Sequence, residues 1–69
     1  MATLEQRFGN HLRKVREKKN MSQLALANKA ELDLTTINEL ENGNRQPMLK
    51  TAWKIANALN VKLSYLFDF

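Results

Sequence analysis

The sequence predicts an all-α fold of five helices, and three observations carry that expectation. Apolar residues recur at helical spacing along nearly the whole chain. No run of four or more residues alternates β-branched or aromatic side chains with polar ones, so strands find no support. Gly and Pro total only three, and Gly43 and Pro47 fall in one short stretch, so little of the chain is forced out of a helix.

The first helix is expected to start after Thr3, because Thr3 and Gln6 have capping-box spacing. Leu4, Phe8, Leu12 and Val15 form its apolar stripe, and it should fray near Lys19-Asn20. Ser22 is the expected N-cap of a second, short helix, its hydroxyl accepting from a free N–H of the first turn. That helix turns Leu26, Ala27 and Ala30 inward. Ala27 suits a close helix crossing, where a larger side chain would hold the backbones apart, and Leu24 falls off the stripe.

Asp33 is the next N-cap candidate, with Thr36 three residues on. Leu32, Ile37 and Leu40 face the core from the turn and the third helix, while Thr35, Thr36, Asn38 and Glu39 project outward. Asn42-Gly43 tolerates a left-handed backbone and stops the helix. A loop through Asn44, Arg45, Gln46 and Pro47 leads to a fourth helix, roughly Leu49 to Leu59. Leu49, Ala52, Trp53, Ile55, Ala56 and Leu59 spread over its broad apolar face, and Asn60 is its expected stop. A last short helix holds Leu63, Leu66 and Phe67.

Sixty-nine residues suit a single domain, expected over residues 1–69, and 43% hydrophobic content supports one small core. There is no Cys and a single His, which excludes disulfides and thiolate zinc sites and leaves apolar packing to stabilise the fold. The lack of Cys suits a reducing compartment. Leu24 to Ala27, the longest apolar run, is far too short to span a membrane; a soluble, cytoplasmic protein is expected, with no membrane partner. Eleven Lys and Arg against seven Asp and Glu leave a formal charge of +4, a balance suited to polyanions. Arg13, Lys14, Arg16, Lys18 and Lys19 crowd one stretch, which reads equally as a solvated helix face.

Two short helices meeting at a tight turn are the ingredients of a DNA-reading helix-turn-helix. Here the residues resemble the Cro/repressor-type (Xre-type) helix-turn-helix regulators. The resemblance runs through Ser22-Gln23, Leu26-Ala27, Ile37, Leu40-Glu41-Asn42-Gly43 and Pro47. It continues in Ile55-Ala56, Ala58-Leu59 and Leu66-Phe67, covering about residues 7 to 67. It implies a phage-repressor-like five-helix domain whose second and third helices form the motif. The third helix, roughly Leu34 to Glu41, would then lie in the major groove, where all four base pairs are distinguishable. There are departures. Glu31 stands where the family usually has Gly at the turn, which implies a left-handed residue costing roughly 1 kcal/mol. Met48 and Lys62 replace the usual hydroxyl caps before the fourth and fifth helices. Leu24 and Leu34 take places more often polar, as DNA contacts (a thymine methyl for Leu34) or as surface anomalies.

Carried over residue by residue, the resemblance places Leu34, Thr35, Thr36, Asn38 and Glu39 against bases. Asn38 suits adenine, Thr a methyl or hydroxyl contact, and Glu39 a cytosine amino group. Thr36 reads equally as a capping partner of Asp33, and Glu39 as a solvated or paired carboxylate. Gln23, at a helix N-terminus that favours anions, is placed on a phosphate, with Asn44, Arg45 and Arg16. Arg16 and Glu41 match a family pair that ties the first helix to the end of the reading helix. No nucleophile–base pair, phosphate-binding glycine loop or metal cluster is recognisable, so no enzyme activity, metal or cofactor is expected.

A core this small cannot hide every aromatic residue. Trp53, Tyr65, Leu66 and Phe69 are expected at a self-complementary patch, making a homodimer on a palindromic double-stranded DNA site the leading expectation. A regulator of transcription fits best. A protein-interaction module, such as the antitoxin of a toxin–antitoxin pair with a protein partner, is the alternative.

Overall fold

The computed structural model describes residues 1–69 as five helices: α1 Leu4–Lys18, α2 Gln23–Ala30, α3 Leu34–Glu41, α4 Leu49–Leu59 and α5 Leu63–Leu66. The start of α1 is closed by a reciprocal capping box: the Gln6 amide N–H donates to Thr3 Oγ1 at 3.1 Å and the Thr3 N–H donates to Gln6 Oε1 at 3.0 Å. Ser22 Oγ accepts from the Ala25 N–H at 3.0 Å at the start of α2. Asp33 has the extended backbone of an N-cap, but its side chain caps nothing. The capping box expected between Asp33 and Thr36 is therefore absent, and Thr36 has no structural tie to that carboxylate.

Four helices end in the same way. The residue after the helix, or one beyond it, turns left-handed: Asn20, Glu31 and Asn60 at φ 57° and Gly43 at φ 76°. The next N–H then reaches back five residues, from Met21 to Arg16 O, Leu32 to Ala27 O, Asn44 to Glu39 O and Val61 to Ala56 O, at 2.8–3.2 Å. This doubly bonded ending satisfies carbonyls that a helix terminus leaves open. In three cases the residue after the turn is apolar, and Met21, Leu32 and Val61 all pack on the core. After α3 it is Asn44, which stays exposed.

The core draws on every helix: Phe8, Leu12 and Val15 of α1, Leu26, Ala27 and Ala30 of α2, Ile37 and Leu40 of α3, five residues of α4, and Leu66 of α5. Helix α1 packs against α3 and α5, while α2 lies between α3 and α4. The expected inward face of α4 is narrower than its sequence suggests. Ala52, Ile55, Ala56, Ala58 and Leu59 are buried, whereas Leu49 and Trp53 are exposed, Trp53 by 56%. Three alanines, Ala52, Ala56 and Ala58, make up most of the buried face of α4, and Leu49 and Trp53 lie outside it. Leu4 is likewise exposed, since it lies in the first turn beyond the reach of the neighbouring helices. Phe67 falls just outside α5 and stacks on Phe8, with ring centroids 5.1 Å apart.

Gly9 decides how closely α1 approaches α3. A methyl group there would collide with the Leu40 carbonyl oxygen and lie 2.6 Å from that of Glu41. In an unobstructed helix Gly→Ala gains about 1 kcal/mol. Here Gly9→Ala is expected to lower stability by about 1–3 kcal/mol, the usual cost of overpacking. Urea denaturation measures this, and an unchanged or raised midpoint would show that α3 can move away from α1 freely.

Candidate nucleic-acid interface

One carboxylate organises the surface formed by α1, α2 and α3. Glu41, the last residue of α3, is 2% exposed, and an ionised group so enclosed must be paired or it is strongly destabilising. Arg16 of α1 meets it in a fork, Nε to Oε2 at 2.6 Å and Nη2 to Oε1 at 3.0 Å. The remaining Arg16 nitrogen, Nη1, donates to the Met21 carbonyl oxygen at 2.7 Å. Gln23 Nε2, at the start of α2, donates to Glu41 Oε1 at 3.0 Å, and Arg13 Nε stands 3.5 Å from the same oxygen. Burial pushes the Glu41 carboxyl up, but the hydrogen bonds from Arg16 and Gln23 and the Arg16 charge outweigh it and hold the group below the usual carboxylate range. The hydrogen bond to Glu41 raises Arg16 in turn, against its own desolvation.

From Gln23 the hydrogen bonds continue outward. Asn38 Nδ2 donates to Gln23 Oε1 at 3.3 Å, Asn42 Nδ2 donates to Asn38 Oδ1 at 3.1 Å, and Arg13 Nη2 lies 3.5 Å from Asn42 Oδ1. The path leaves Glu41 through α2, crosses α3 and returns to α1. The Arg16–Glu41 pair expected from sequence is thus one part of a larger polar circuit. Arg13 stood out in the sequence only as part of the basic stretch and Asn42 only at the helix stop; their place in this circuit, and that of the Met21 carbonyl, comes from the structure. Arg13 shares a face of α1 with Gly9 and Arg16, at four- and seven-residue spacing from Gly9, which is the one sequence signal that could have found it.

The outward face of α3 carries the expected base-facing residues. Leu34, Thr35 and Asn38 are exposed, and Thr36 and Glu39 half-buried. Glu39 is held by Arg45, whose Nε and Nη2 both donate to Oε1 at 2.9 and 2.6 Å. Asn44 is exposed beside them. Arg16, placed on a phosphate from sequence, has only 11% of its side chain exposed, whereas Arg13 next to it has 43%.

The basic stretch is not one surface. Arg13 and Arg16 turn toward α3, whereas Lys18 and Lys19 line a groove with Val15, Val61, Lys62 and Tyr65. At about 100° per residue Lys18 lies roughly opposite Arg13 and Arg16 on α1, and Lys19 follows it at the C-cap.

The four expected dimer residues do not form one exposed patch. Leu66 is fully buried, because it is the α5 side chain turned most deeply into the core, with Leu63 packed beside that core, so its placement at an exposed interface is corrected. Tyr65 and Phe69 are brought together, each with its ring centroid 5.7 Å from that of His11, and His11 Nε2 lies 2.9 Å from the Tyr65 carbonyl oxygen. Arg7 lies over the Phe69 ring, 5.6 Å from its centroid. Trp53 lines a different recess with Lys29, Glu31 and Lys54. No three His, Cys, Asp or Glu side chains are grouped as metal ligands, and no helix is long and apolar enough to cross a membrane.

A family model described as helix-turn-helix matches residues 12–66. The chain is 41% identical over 69 residues to the control protein C.MunI of Mycoplasma sp, covering 99% of this chain and 93% of that protein. It is 41% identical over 63 residues to the control protein C.BamHI of Bacillus amyloliquefaciens, covering 90% of this chain and 78% of that one. The crystal structure of the restriction-modification controller protein C.AhdI from Aeromonas hydrophila superposes with a TM-score of 0.88 at 34% identity, over 90% of this chain and 94% of that chain.

The Glu41 pairing predicts an acid response. Its carboxyl titrates lower in the folded protein than in the unfolded chain, so the unfolded chain takes up the proton first as pH falls. The stabilisation is complete above the ordinary Glu value of about 4.3 and is lost as pH falls from there through the folded value. Glu41→Gln is expected to cost about 3 kcal/mol at neutral pH, as breaking a buried pair does, and to flatten the decline of Tm below about pH 4.5. Thermal melts of both proteins across pH 2–7 check this; parallel acid slopes would place the acid lability elsewhere.

Proposed function

The chain belongs to the helix-turn-helix transcriptional regulators of the restriction-modification controller and Cro/repressor type, and from that premise we propose that it binds a palindromic duplex operator as a homodimer with α3 in the major groove. At the coarser level it is a DNA-binding regulator and not an enzyme. The observation that carries the finer reading is the enclosed Glu41 circuit. It pins α3 to α1 and α2 while leaving Thr35 and Asn38 exposed to solvent. A reading helix needs this combination, because base edges are recognised only by side chains held at a fixed angle to the groove.

In this reading Leu34, Thr35, Thr36, Asn38 and Glu39 face base edges, and Gln23, Asn44 and Arg45 face phosphates. Arg16 acts chiefly by holding Glu41, and Arg13 is the more exposed cation beside the same strand of DNA. Arg45 reaches a phosphate by leaving Glu39. An exposed pair is worth only about 0–1 kcal/mol, so a phosphate oxygen competes with it readily. Tyr65 and Phe69 supply the apolar part of the twofold contact, with Trp53 at its edge. The relatives named as control proteins favour a controller of restriction–modification genes over an antitoxin.

Selection from a random duplex pool tests the reading. The expected product is a palindrome with half-sites about one helical turn apart. Arg45→Ala should weaken binding to all sequences alike and reduce the slope of log affinity against log salt by about 0.9 per lost phosphate contact. Asn38→Ala should instead relax preference at one base pair per half-site, and equal losses on selected and random DNA would remove Asn38 from base reading. Dimerisation has its own check: sedimentation at micromolar concentration should show a species of twice the 8.0 kDa chain mass, and a monomer alone, with and without DNA, would end that part of the proposal.

A further inference from the structure

Asn38 stands inside a chain of amides that has only one workable polarity. The chain ends at Glu41, whose carboxylate can only accept hydrogen bonds. Gln23 must therefore turn its Nε2 toward Glu41 and its Oε1 toward Asn38. Asn38 must then offer Nδ2 to Gln23 and Oδ1 to its other neighbour, Asn42, which donates Nδ2 at 3.1 Å. Asn42 faces Arg13 with its Oδ1, and a guanidinium can only donate. An acceptor at one end and a donor at the other thus orient all three amides the same way.

Such orientation matters because an isolated Asn amide has none. Its last torsion is broad and roughly two-fold, so oxygen and nitrogen exchange places at little cost. Only one of the two arrangements reads adenine, with Oδ1 accepting from N6 and Nδ2 donating to N7. The reverse sets oxygen against N7 and nitrogen against N6. The circuit uses one N–H and one lone pair of Asn38, and each group has a second one for a base.

We propose that Asn42 is a positioning residue for base reading: by donating to Asn38 Oδ1 it works with Gln23 on the other side to hold which edge of the Asn38 amide the DNA meets. The inference rests on the reading that Asn38 faces a base. Asn42 sits at the C-cap of α3, one turn beyond Asn38, and Arg13 links it to α1. The contact thus uses the end of the reading helix to set the polarity of a side chain near its middle. Asn42→Asp reverses the logic with almost no change of shape. The new carboxylate still accepts from Arg13 but cannot donate, so Asn38 is drawn to turn Nδ2 toward it, losing Gln23 and inverting its outward edge. Asn42→Ala removes one of the two constraints and leaves Gln23 alone to hold the Asn38 amide.

Full-length wild type, Asn42→Asp, Asn42→Ala and Asn38→Ala are each put through duplex selection at one salt concentration, and base preference is read position by position. Asn42 is exposed, and thermal melts confirm that the variants fold. Asn38→Ala is expected to lose preference at one base pair per half-site. Asn42→Asp should lose roughly tenfold discrimination at that same pair and keep the others, within the range of a single bidentate contact, with Asn42→Ala in between. In the free protein, the Asn38 side-chain amide resonances should shift in Asn42→Asp. Altered preference in Asn38→Ala with wild-type preference in Asn42→Asp overturns the role of Asn42 alone. Weaker binding to every sequence alike in both Asn42 variants also overturns it, making Asn42 a backbone contact. An unaltered profile in Asn38→Ala overturns base reading by Asn38, and this inference with it.

Discussion

A carboxylate removed from water cannot stand alone, and the placement of α3 follows from how Glu41 is satisfied. Arg16 supplies the opposite charge from α1 and also takes up the Met21 carbonyl, so the turn between α1 and α2 is drawn into the same arrangement. Gln23 adds a bond from the first residue of α2. Three helices thus converge on one side chain, and the angle of the reading helix is set by directional bonds as well as by apolar packing. Apolar contacts alone tolerate sliding, whereas a forked guanidinium–carboxylate pair does not. Gly9 makes this possible on the other side of the contact, since any side chain there would drive α1 away from the Leu40 and Glu41 carbonyls.

Stability in so small a molecule comes from repetition of one device. Four helices end in a left-handed residue, and three of those endings return an apolar side chain to the core. Each turn therefore both satisfies helix carbonyls and adds to the buried cluster, which matters where no disulfide or metal contributes. The exception is informative. The ending of α3 places polar Asn44 after the turn and leads into Arg45, so the element that faces DNA in the proposed function is the one whose terminus is left to solvent.

Charge is divided in the same manner. Arg13 and Arg16 join the α3 side of α1, while Lys18 and Lys19 occupy the other side next to Val61 and Tyr65. The positive charge is therefore spread over more than one face, and only part of it adjoins α3. In the proposed function, long-range attraction to DNA uses the whole surplus, whereas orientation on the duplex depends on the part near α3.

Much of the fold was legible in the sequence because it rests on local rules. Helix periodicity, the Thr3 and Ser22 caps, and the stops at Asn42-Gly43 and Asn60 each depend on residues within a few positions of one another, whereas the left-handed turn at Glu31 was expected from family resemblance alone. The pairing of Arg16 with Glu41 was legible only through family resemblance, since nothing local connects residues 25 apart in sequence. What the sequence could not decide was volume and hydrogen-bond direction. Leu49 and Trp53 share the helical spacing of core residues, yet both stay exposed outside the face that Ala52, Ile55, Ala56, Ala58 and Leu59 bury. Leu66 has the character of an interface residue and is instead the fully buried side chain of α5. The amide circuit through Gln23, Asn38, Asn42 and Arg13 joins three helices, and its polarity comes from a carboxylate at one end and a guanidinium at the other. The sequence by itself determined where helices begin, end and turn; the tertiary structure alone decided which apolar residues found room and which polar ones found partners, because both depend on distances between segments far apart along the chain.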